Sequence, residues 1–314
     1  AGYMYFDRPA GDGSKKVEFI VKNGWGPFAI TSQLQKDSLI KSKFNFNVML
    51  LLKGKSSAMK RGIYDLDDSM GPSEIIDTLT SGKTKTVTFT IPEGYNNNQI
   101  AEQLVKKGLF KTKESFTKIA SSPALLSKFN IKSKSAEGYL FPDTYTVPAR
   151  YPEEKIIALM INHFFEKVTE LKGFPEDPGK RQRLVILASI VEREAKAVEE
   201  RPIIASIFYN RIQKNMPLES CATIQYLFDA QRKRIFFRDL EIVSPYNTYR
   251  NRGLPIGPIS NPGLSSLNAV LNPAATEYIF FVVKGDGTHH FSKTFNEHVK
   301  AKKEYLSENG IDVQ

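Results

Sequence analysis

The stretch Leu184-Val-Ile-Leu-Ala-Ser-Ile-Val-Glu-Arg-Glu-Ala195 predicts a buried helix around which the C-terminal half of this chain folds. Its apolar residues recur at helical spacing and mark one face: Leu184, Leu187, Ala188 and Val191. Glu194 continues that face, three residues after Val191, where the apolar run ends. Glu192 lies about 200° around the helix from Glu194, so the two carboxyl groups are predicted to point in different directions.

Glu194 is a candidate catalytic acid because of this position. A carboxyl group on an apolar face loses solvation as an anion, which favours its protonated form. A carboxyl group that stays protonated near neutral pH is what general acid catalysis needs. In the alternative interpretation Glu194 belongs to a solvated, charged helix end that also contains Arg193, Glu199, Glu200 and Arg201. Periodicity alone leaves both interpretations open.

Length and composition limit the function classes. The 314 residues are enough for two or three domains, and 41% hydrophobic residues are ample for packed cores. The formal net charge of +10 comes from scattered lysines, without a dense arginine-rich tract or an aromatic-basic motif, so nucleic acid is not an indicated partner. The single cysteine, Cys221, excludes an intramolecular disulfide and is predicted to be buried and inert. No stretch reaches the ~20 apolar residues that span a bilayer.

The N-terminal part contains an internal repeat with a constant offset. The first copy has Val17, Phe19, Gly24, Ile30, Gln33, Leu34, Lys36, Leu39, Lys41, Lys43 and Phe46; the second has Val87, Phe89, Gly94, Ile100, Gln103, Leu104, Lys106, Leu109, Lys111, Lys113 and Phe116. Each copy predicts a strand, a glycine turn and an amphipathic helix. The repeat is interpreted either as a duplicated scaffold or as a pair of small binding modules.

Further likeness follows each copy. Residues 62–67 (Gly-Ile-Tyr-Asp-Leu-Asp) resemble residues 138–143 (Gly-Tyr-Leu-Phe-Pro-Asp), and a helix is predicted after each, over 73–79 and 153–168. Beyond a Pro- and Gly-bearing stretch, the pattern predicts four helices, a buried strand, a turn and a closing helix. In order they are 181–195, 199–214, 223–228 and 264–271, strand 278–283, turn 286–287, and a helix that ends at 302–306.

The histidines near the C-terminus do not indicate a metal site. His289, His290 and His298 are close in sequence, but no His-Glu-x-x-His or Cys/His pattern accompanies them. Neighbours on a strand face opposite sides, so His289 and His290 would not converge. A structural role is the favoured interpretation.

A set of motifs in the same region adds a family resemblance. They are Glu137-Gly-Tyr-Leu-Phe-Pro-Asp-Thr144, Leu187-Ala-Ser-Ile-Val-Glu-Arg-Glu194, Tyr209-Asn-Arg211, Leu218 with Thr223-Ile-Gln-Tyr226, Ser244-Pro-Tyr-Asn-Thr-Tyr249, Gly253-Leu-Pro-Ile-Gly-Pro-Ile-Ser-Asn-Pro-Gly263, Asn272-Pro-Ala274, and Gly287-Thr-His289 with His298. In this order, over roughly residues 85–306, the set resembles the MltG (YceG-like) family of endolytic murein transglycosylases. The early repeat is similar to the N-terminal portion of that family, which includes a LysM-like subdomain.

The resemblance implies a catalytic residue and a reaction. The catalytic glutamate of the family is the second acidic residue of a Val-Glu-Lys-Glu motif, which falls on Glu194. The implied reaction cleaves the MurNAc–GlcNAc β-1,4 bond within a glycan strand and leaves 1,6-anhydroMurNAc ends, with one glutamate acting as acid and then as base. No metal or organic cofactor is implied. The alternatives are a lysozyme-like hydrolase of the same polymer and a non-catalytic glycan-binding scaffold in which the repeat binds the ligand.

Two departures from the family pattern bear on the site. Many members have Asp-Pro where this chain has Cys221-Ala222, at a position expected to shape the groove wall. Ala195 follows the glutamate, where lytic enzymes commonly have Thr or Ser, so a hydroxyl group that would orient the carboxyl is expected to be missing.

Candidate substrate-binding residues are found in the loops. Tyr246, Asn247 and Tyr249 lie in a proline-bounded loop, where side chains are displayed and can hydrogen-bond or stack on sugars. Alternatively, Asn247 and Tyr249 only hold the loop. Thr223 and Gln225 are further candidates.

Three other polar residues have more than one interpretation. Asn261 is a candidate sugar ligand or a partner of loop backbone. Glu137 and Asp143 suggest a second carboxylate, but Gly138 and Pro142 beside them favour a structural turn.

These observations predict an α+β chain. Two related βα modules, LysM-like by resemblance, occupy residues 1–84 and 85–172, and a mainly helical catalytic domain with a small sheet occupies 173–314. The expected partners are peptidoglycan strands and, from the resemblance, peptidoglycan synthases. The resemblance also implies a single-pass anchor in the cytoplasmic membrane with the catalytic part outside it. That anchor is absent from this chain, which is therefore expected to be a soluble fragment.

Overall fold

A computed structural model describes residues 6–55, 58–230, 232 and 234–308. The predicted α+β class is confirmed, because helices alternate with small two-stranded sheets. The chain forms two compact units, Ala1–Thr88 with Thr146–Tyr151, and Phe89–Tyr145 with Pro152–Gln314. The three-domain division drawn from the sequence stays a prediction.

The first unit has the order strand, two helices, strand, helix. Its elements are β1 (Lys16–Val21), α1 (Pro27–Lys36), α2 (Lys43–Leu52), β2 (Gly62–Asp67) and α3 (Pro72–Ser81). Strands β1 and β2 are antiparallel, with Phe19 opposite Tyr64. Both of these rings are buried in the core with the apolar faces of the three helices. Alternation along β1 therefore places one face of the small sheet inward.

The sequence repeat is a repeat of secondary structure. Strand β3 (Thr86–Thr90), helix α4 (Asn97–Lys106) and helix α5 (Lys113–Ala120) begin 70 residues after β1, α1 and α2, since 86 − 16, 97 − 27 and 113 − 43 are each 70. The glycine turn is also repeated, with positive φ at Gly24 and Gly94. Glycine adopts this conformation without the penalty that other residues incur.

The likeness in sequence between residues 62–67 and 138–143 is not a likeness in secondary structure, and residues 137–138 form a turn, as the sequence favours. Residues 138–143 do not form a second copy of β2 but turns, and the strand that pairs with β3 is β4 (Thr144–Pro148). Hydrogen bonds from Ile91 N–H to the Asp143 carbonyl and from Ala149 N–H to the Lys85 carbonyl set an antiparallel register. Helix α6 (Pro123–Lys128) precedes these turns, and the predicted helix after them is confirmed as α7 (Glu153–Val168).

The rest of the second unit is mainly helical. Its elements are α8 (Pro178–Glu194), a 3-10 turn (Val198–Glu200), α9 (Arg201–Gln213), α10 (Cys221–Gln225), a 3-10 turn (Phe237–Glu241), α11 (Leu264–Leu271), β5 (Phe280–Val283), β6 (His289–Ser292) and α12 (Phe295–Glu308). The predicted helix at 264–271 and the predicted strand ending at 283 are confirmed. Across the parts of the chain described, none of the helices has both the length and the apolar character to cross a membrane.

Helix α8 is the centre of this unit. Asp177 caps its first turn by accepting a hydrogen bond from Lys180 N–H, which satisfies one free backbone donor. From Leu184 to Val191 every residue is buried, not only the face that periodicity marks. Helices α9, α10 and α11 all pack on it. The helix ends at Glu194 because Ala195 adopts an extended conformation, with φ of −87° and ψ of 117°.

Gly138 lies in a turn that packs closely against α8. Its φ is +87°, and a Cβ atom there would lie 2.6 Å from Cγ1 of Val185 and 2.7 Å from Cγ of Pro258. Gly253 has a similar φ of +78°, and a Cβ atom there would have no described heavy atom within 4 Å. Both Ala substitutions incur the left-handed backbone penalty, and only Gly138→Ala adds a steric clash. We expect Gly138→Ala to lower the free energy of unfolding by about 1–3 kcal/mol more than Gly253→Ala. Denaturant unfolding of the two variants measures this difference. Equal decreases in the free energy of unfolding would show that the turn shifts to accept the methyl group without a cost in free energy.

Candidate active site

The carboxyl group of Glu194 lies half-buried at the C-terminal end of α8. Its Oε1 atom accepts a hydrogen bond from the hydroxyl of Ser220, and a second from the N–H of Ala222 at 3.2 Å. Ser220 directly precedes α10, and Ala222 is within its first turn. The short helix α10 therefore brings two donors to one oxygen of the carboxyl group.

Glu194 lines an open cleft with a volume of about 390 Å³. The other lining residues combine aromatic, apolar and charged side chains; they are Arg211, Leu218, Glu219, Cys221, Tyr249, Ile279, Phe280, Phe281, Phe295, His298 and Lys302. They come from α9, the segment around α10, the loop that carries Tyr249, β5 with the residue before it, and α12. A carboxyl group beside rings and cations is suited to acid–base chemistry on a polar ligand with apolar faces.

Glu192 has a different environment, as its helical position predicts. Its side chain is 4% exposed and is held by the Arg201 guanidinium at 3.0 Å and by Gly263 N–H at 3.0 Å. Arg201 also lies 3.7 Å from Glu93. Burial, together with the negative charge of Glu192, raises the pKa of Glu93. Glu192 is thus part of a buried ion-pair cluster and Glu194 is the carboxyl that faces the cleft.

A hydroxyl group does orient Glu194, although residue 195 is alanine. Ser220 supplies it from a different segment and is only 1% exposed. Its N–H donates to Oγ1 of Thr248 at 3.1 Å, and Glu219 N–H donates to the Thr248 carbonyl at 3.1 Å. The expectation that this hydroxyl is missing is therefore wrong, because the sequence neighbour of a glutamate need not be its spatial neighbour.

Tyr249 lines the cleft, whereas Tyr246 packs against Tyr226. The Tyr249 hydroxyl is 3.0 Å from Sγ of Cys221, whose side chain is exposed and not buried as the sequence suggested. Burial raises the pKa of Tyr249 well above its usual value, so its phenol stays protonated and can donate. The Tyr246 ring is half-buried and packs against Tyr226, with 4.9 Å between ring centroids.

Asn247 holds the loop that carries these tyrosines. It is fully buried, and its Nδ2 donates to the carbonyls of Leu240 and Ile242 at 2.8 and 2.7 Å. Its Oδ1 accepts from Tyr249 N–H at 2.9 Å. These contacts use both ends of the amide, and they fix the backbone at Tyr249.

Thr223 and Gln225 lie on α10. Thr223 is fully buried, and its Oγ1 contacts the Ser220 carbonyl at 2.7 Å and Thr248 Oγ1 at 2.9 Å. Gln225 donates to the Ala230 carbonyl at 3.3 Å and lines a separate hollow of about 40 Å³. The structure thus brings Thr223 into the support of Ser220 and places Gln225 beside a different depression.

Asn261 connects three segments inside the second unit. It is fully buried, and its Oδ1 accepts from Gly138 N–H and Leu140 N–H, both at 2.9 Å. Its Nδ2 donates to the Tyr95 carbonyl at 3.0 Å and to Oε1 of Glu137 at 3.1 Å. These are the contacts of a residue that satisfies loop backbone.

Glu137 is 3% exposed and accepts hydrogen bonds in the same network. Its donors are Asn97 N–H at 3.0 and 3.1 Å, Tyr226 hydroxyl at 3.2 Å, and Asn261. Burial raises the pKa of Glu137 to about 8, against the lowering effect of these donors. Asp143, by contrast, contacts Nε2 of His163 at 2.7 Å, and this contact lowers the pKa of Asp143.

The three histidines have separate partners. Nδ1 of His289 lies 2.7 Å from Oε2 of Glu200, and the His290 ring lies 5.7 Å from that of Tyr305. His298 stacks on Phe280 in the cleft wall, with 5.2 Å between ring centroids. Burial lowers the pKa of His298, so its imidazole is neutral at neutral pH.

Glu219 lines the same cleft as Glu194 and gave no signal in the sequence analysis. Its φ of +52° is unusual for a residue other than glycine. Its carboxylate is paired with Arg211 at 2.9 Å, and the Arg211 side chain is 7% exposed. A hydrophilic residue in a short loop between helices has no periodicity from which its direction can be read.

The buried Glu137 makes stability depend on pH. Its native pKa of about 8 exceeds the ~4.3 of a glutamate in an unfolded chain. Between these two values the native state binds a proton that the unfolded state releases, so stability falls as pH rises through this range. We expect the loss to be on the order of a few kcal/mol, and Glu137→Gln, which mimics the neutral acid, to remove it. Chemical denaturation of the wild type and of Glu137→Gln across this pH range measures how the free energy of unfolding of each changes with pH. Equal changes in the two proteins would contradict the assignment to Glu137.

Comparison with known proteins places this chain in a family. A family model described as the YceG-like family matches residues 19–304. The endolytic murein transglycosylase of Bacillus subtilis (strain 168) is 37% identical over 94% of this chain and 86% of its own length. That of Streptococcus pneumoniae serotype 2 (strain D39) is 29% identical over 98% of this chain and 62% of its own length. The crystal structure of a YceG-like protein from Listeria monocytogenes superposes with a TM-score of 0.60 at 31% identity, and the match covers 91% of this chain and 99% of that one. The chain therefore belongs to the YceG-like family.

Proposed function

We propose that this chain is an endolytic murein transglycosylase, with Glu194 as its single acid–base residue. The observation that carries the proposal is the pattern of hydrogen bonds to the Glu194 carboxyl in the cleft. Among the described residues, both hydrogen bonds to this carboxyl go to Oε1, from Ser220 and Ala222. Oε2 is then the oxygen that carries a proton and delivers it to a ligand in the cleft. The names of the related proteins and the family membership support the substrate class.

The reaction needs two proton transfers at Glu194, one from the carboxyl group and one back to it. Oε2 of Glu194 donates its proton to the glycosidic oxygen, and the bond from that oxygen to C1 of MurNAc breaks. The N-acetyl group of the sugar stabilises the positive charge that develops at C1. The MurNAc C6 hydroxyl then attacks C1 and gives its proton to the Glu194 carboxylate, which closes the 1,6-anhydro ring. No water is consumed, and the enzyme ends in its starting protonation state.

The cleft offers complementary contacts for a sugar polymer. The rings of Phe280 and Phe281 line it as apolar surfaces on which sugar faces can stack. The protonated phenol of Tyr249 and the ammonium of Lys302 supply donors for hydroxyl, acetamide or carboxylate oxygens. Positioning of this kind supplies much of the rate enhancement that a single acid–base group does not.

We assign the remaining candidate residues to support of the cleft. Asn247 fixes the backbone of Tyr249, and Thr223 holds the segment that carries Ser220. Asn261 ties the turn at Gly138 to the rest of the unit. In this proposal Tyr249 touches the glycan, and the buried residues act through the loops they hold. Gln225 lines the separate hollow and Tyr246 packs on Tyr226, so neither contacts a glycan in the cleft of Glu194.

A hydrolase is the second candidate because of Glu219. Ordinary glycosidases use two carboxyl groups, and Glu219 lines the same cleft as Glu194. Glu219 lies 2.9 Å from Arg211, and in a hydrolase this second carboxyl group would serve as a base for water or as an electrostatic stabiliser. In the lytic reaction Glu219 has no proton to move.

The remaining parts of the proposal rest on the family. We propose that the repeated βα modules, LysM-like by resemblance, bind glycan strands. We also propose that the whole protein works beside peptidoglycan synthases, from an anchor in the cytoplasmic membrane. If the chain were a non-catalytic scaffold, the modules would bind glycan and Glu194 would be dispensable.

Replacement of Glu194 tests the catalytic assignment. Glu194→Gln keeps the size of the side chain and removes its acid, so we expect turnover of isolated glycan strands to fall by roughly 10²–10⁴-fold while binding is retained. Glu199→Gln, which changes an exposed carboxyl in the following turn, is the matched control and should keep wild-type activity. Mass spectrometry of the digests and strand-binding assays give the two readouts. Full activity of Glu194→Gln would exclude the proposed mechanism.

The products and Glu219 separate the lytic from the hydrolytic reaction. In water labelled with heavy oxygen, we expect anhydro ends without label, because the attacking oxygen belongs to the substrate. We expect Glu219→Gln to lower turnover by less than about tenfold, since Arg211 keeps its hydrogen bonds to the Pro217 and Leu218 carbonyls and still holds this segment. Labelled reducing ends, with Glu219→Gln as inactive as Glu194→Gln, would establish the hydrolase instead.

A further inference from the structure

Glu194 has a flexible side chain at a helix end, and a hydrogen bond from Ser220 restricts its position. The side chain of glutamate has three rotatable bonds, and α8 stops at this residue, so no following helical turn packs on it. A general acid must nevertheless be held within a narrow range of positions for proton transfer. The Ser220 hydroxyl reaches Oε1 from a segment 26 residues along the chain.

Ser220 is itself held firmly. It is 1% exposed, and its N–H donates to Thr248 Oγ1 at 3.1 Å. Thr248 Oγ1 also lies 2.9 Å from Oγ1 of Thr223, and Thr223 bonds back to the Ser220 carbonyl at 2.7 Å. Ser220, Thr223 and Thr248 form a closed ring of hydrogen bonds that is buried on all sides.

The backbone before Ser220 is also constrained. Glu219 has a φ of +52°, a conformation that costs free energy for a residue with a Cβ atom. The Arg211 guanidinium holds it there through the Glu219 carboxylate at 2.9 Å and the Leu218 carbonyl at 3.0 Å. A strained backbone that is over-determined by its neighbours is typical of a segment whose side chains need one fixed direction.

We propose that Ser220 is a positioning residue of the reaction, whose hydroxyl holds Oε1 of Glu194 so that Oε2 alone carries the transferred proton. This inference rests on the proposed function. A serine hydroxyl has one proton to donate, and while it is given to Oε1 the acidic proton of a neutral carboxyl resides on Oε2. After transfer, the same hydrogen bond stabilises the carboxylate until the C6 hydroxyl returns a proton. Ser220 therefore acts in both halves of the cycle without touching the substrate.

The test compares Ser220→Ala with Ser206→Ala. Ser206 is also a buried serine in the second unit, and its hydroxyl bonds to the Ile203 carbonyl and to Thr276, away from Glu194. For Ser220→Ala on isolated glycan strands we expect kcat to fall roughly 10- to 100-fold with KM unchanged, as for loss of a hydrogen bond to a charged group. We also expect the alkaline limb of its pH–rate profile to move to higher pH, because the carboxylate loses a stabilising donor. Ser206→Ala should change neither readout.

A second variant keeps the test decisive if Ser220→Ala does not fold. Ser220→Cys keeps nearly the volume of serine with a weaker donor, so its kcat should lie between those of wild type and Ser220→Ala when assayed under reducing conditions. The proposal is overturned if folded Ser220→Ala or Ser220→Cys retains wild-type kcat and pH profile while Glu194→Gln is inactive. It is also overturned if KM rises and kcat does not fall. If Glu194→Gln is active, the proposed function fails first, so the two failures are distinguishable.

Discussion

The central constraint on this protein is that α8, buried from Leu184 to Val191, carries polar groups toward its C-terminal end that need hydrogen-bond partners in the core. In α8 the Ser189 hydroxyl accepts from Ile259 N–H at 3.0 Å, and the Ser189 carbonyl accepts from the Ser260 hydroxyl at 3.0 Å. Glu192 is paired with Arg201, and Glu194 with Ser220. An unpaired polar group at any of these positions would cost more than its hydrogen bond returns. The loops around α8 are therefore fixed by the helix that they cover.

The same requirement explains why two buried asparagines hold loops of the second unit. Asn247 and Asn261 are fully buried, and each bonds to backbone groups that would otherwise lack partners. Each can donate and accept at once, so one side chain satisfies carbonyls and N–H groups of different segments. Ionised groups at these positions would carry a larger desolvation cost. Asn247 thereby keeps the backbone of Tyr249 in place at the cleft.

Local periodicity predicted the features that depend on local structure. The repeat offset, the helix α8 and the direction of Glu192 away from Glu194 all follow from spacing along the chain. The likeness in sequence between residues 138–143 and β2 does not extend to secondary structure, because strand formation depends on a pairing partner that the motif alone does not specify. Ser220 and Glu219 could not be predicted, since their roles depend on a loop that folds back onto the helix end. The substrate-binding residues drawn from the loops stay predictions.

The Cys221-Ala222 departure also has a physical consequence at Glu194. Proline has no N–H, so a family member with Asp-Pro at these positions cannot make the hydrogen bond that Ala222 N–H gives to Oε1 at 3.2 Å. In this chain Oε1 therefore accepts from two donors, the Ser220 hydroxyl and the Ala222 N–H, and they come from the same short segment at the start of α10. The departure thus adds a backbone donor that fixes the position of Oε1, and Ser220 is the donor that remains when residue 222 is proline.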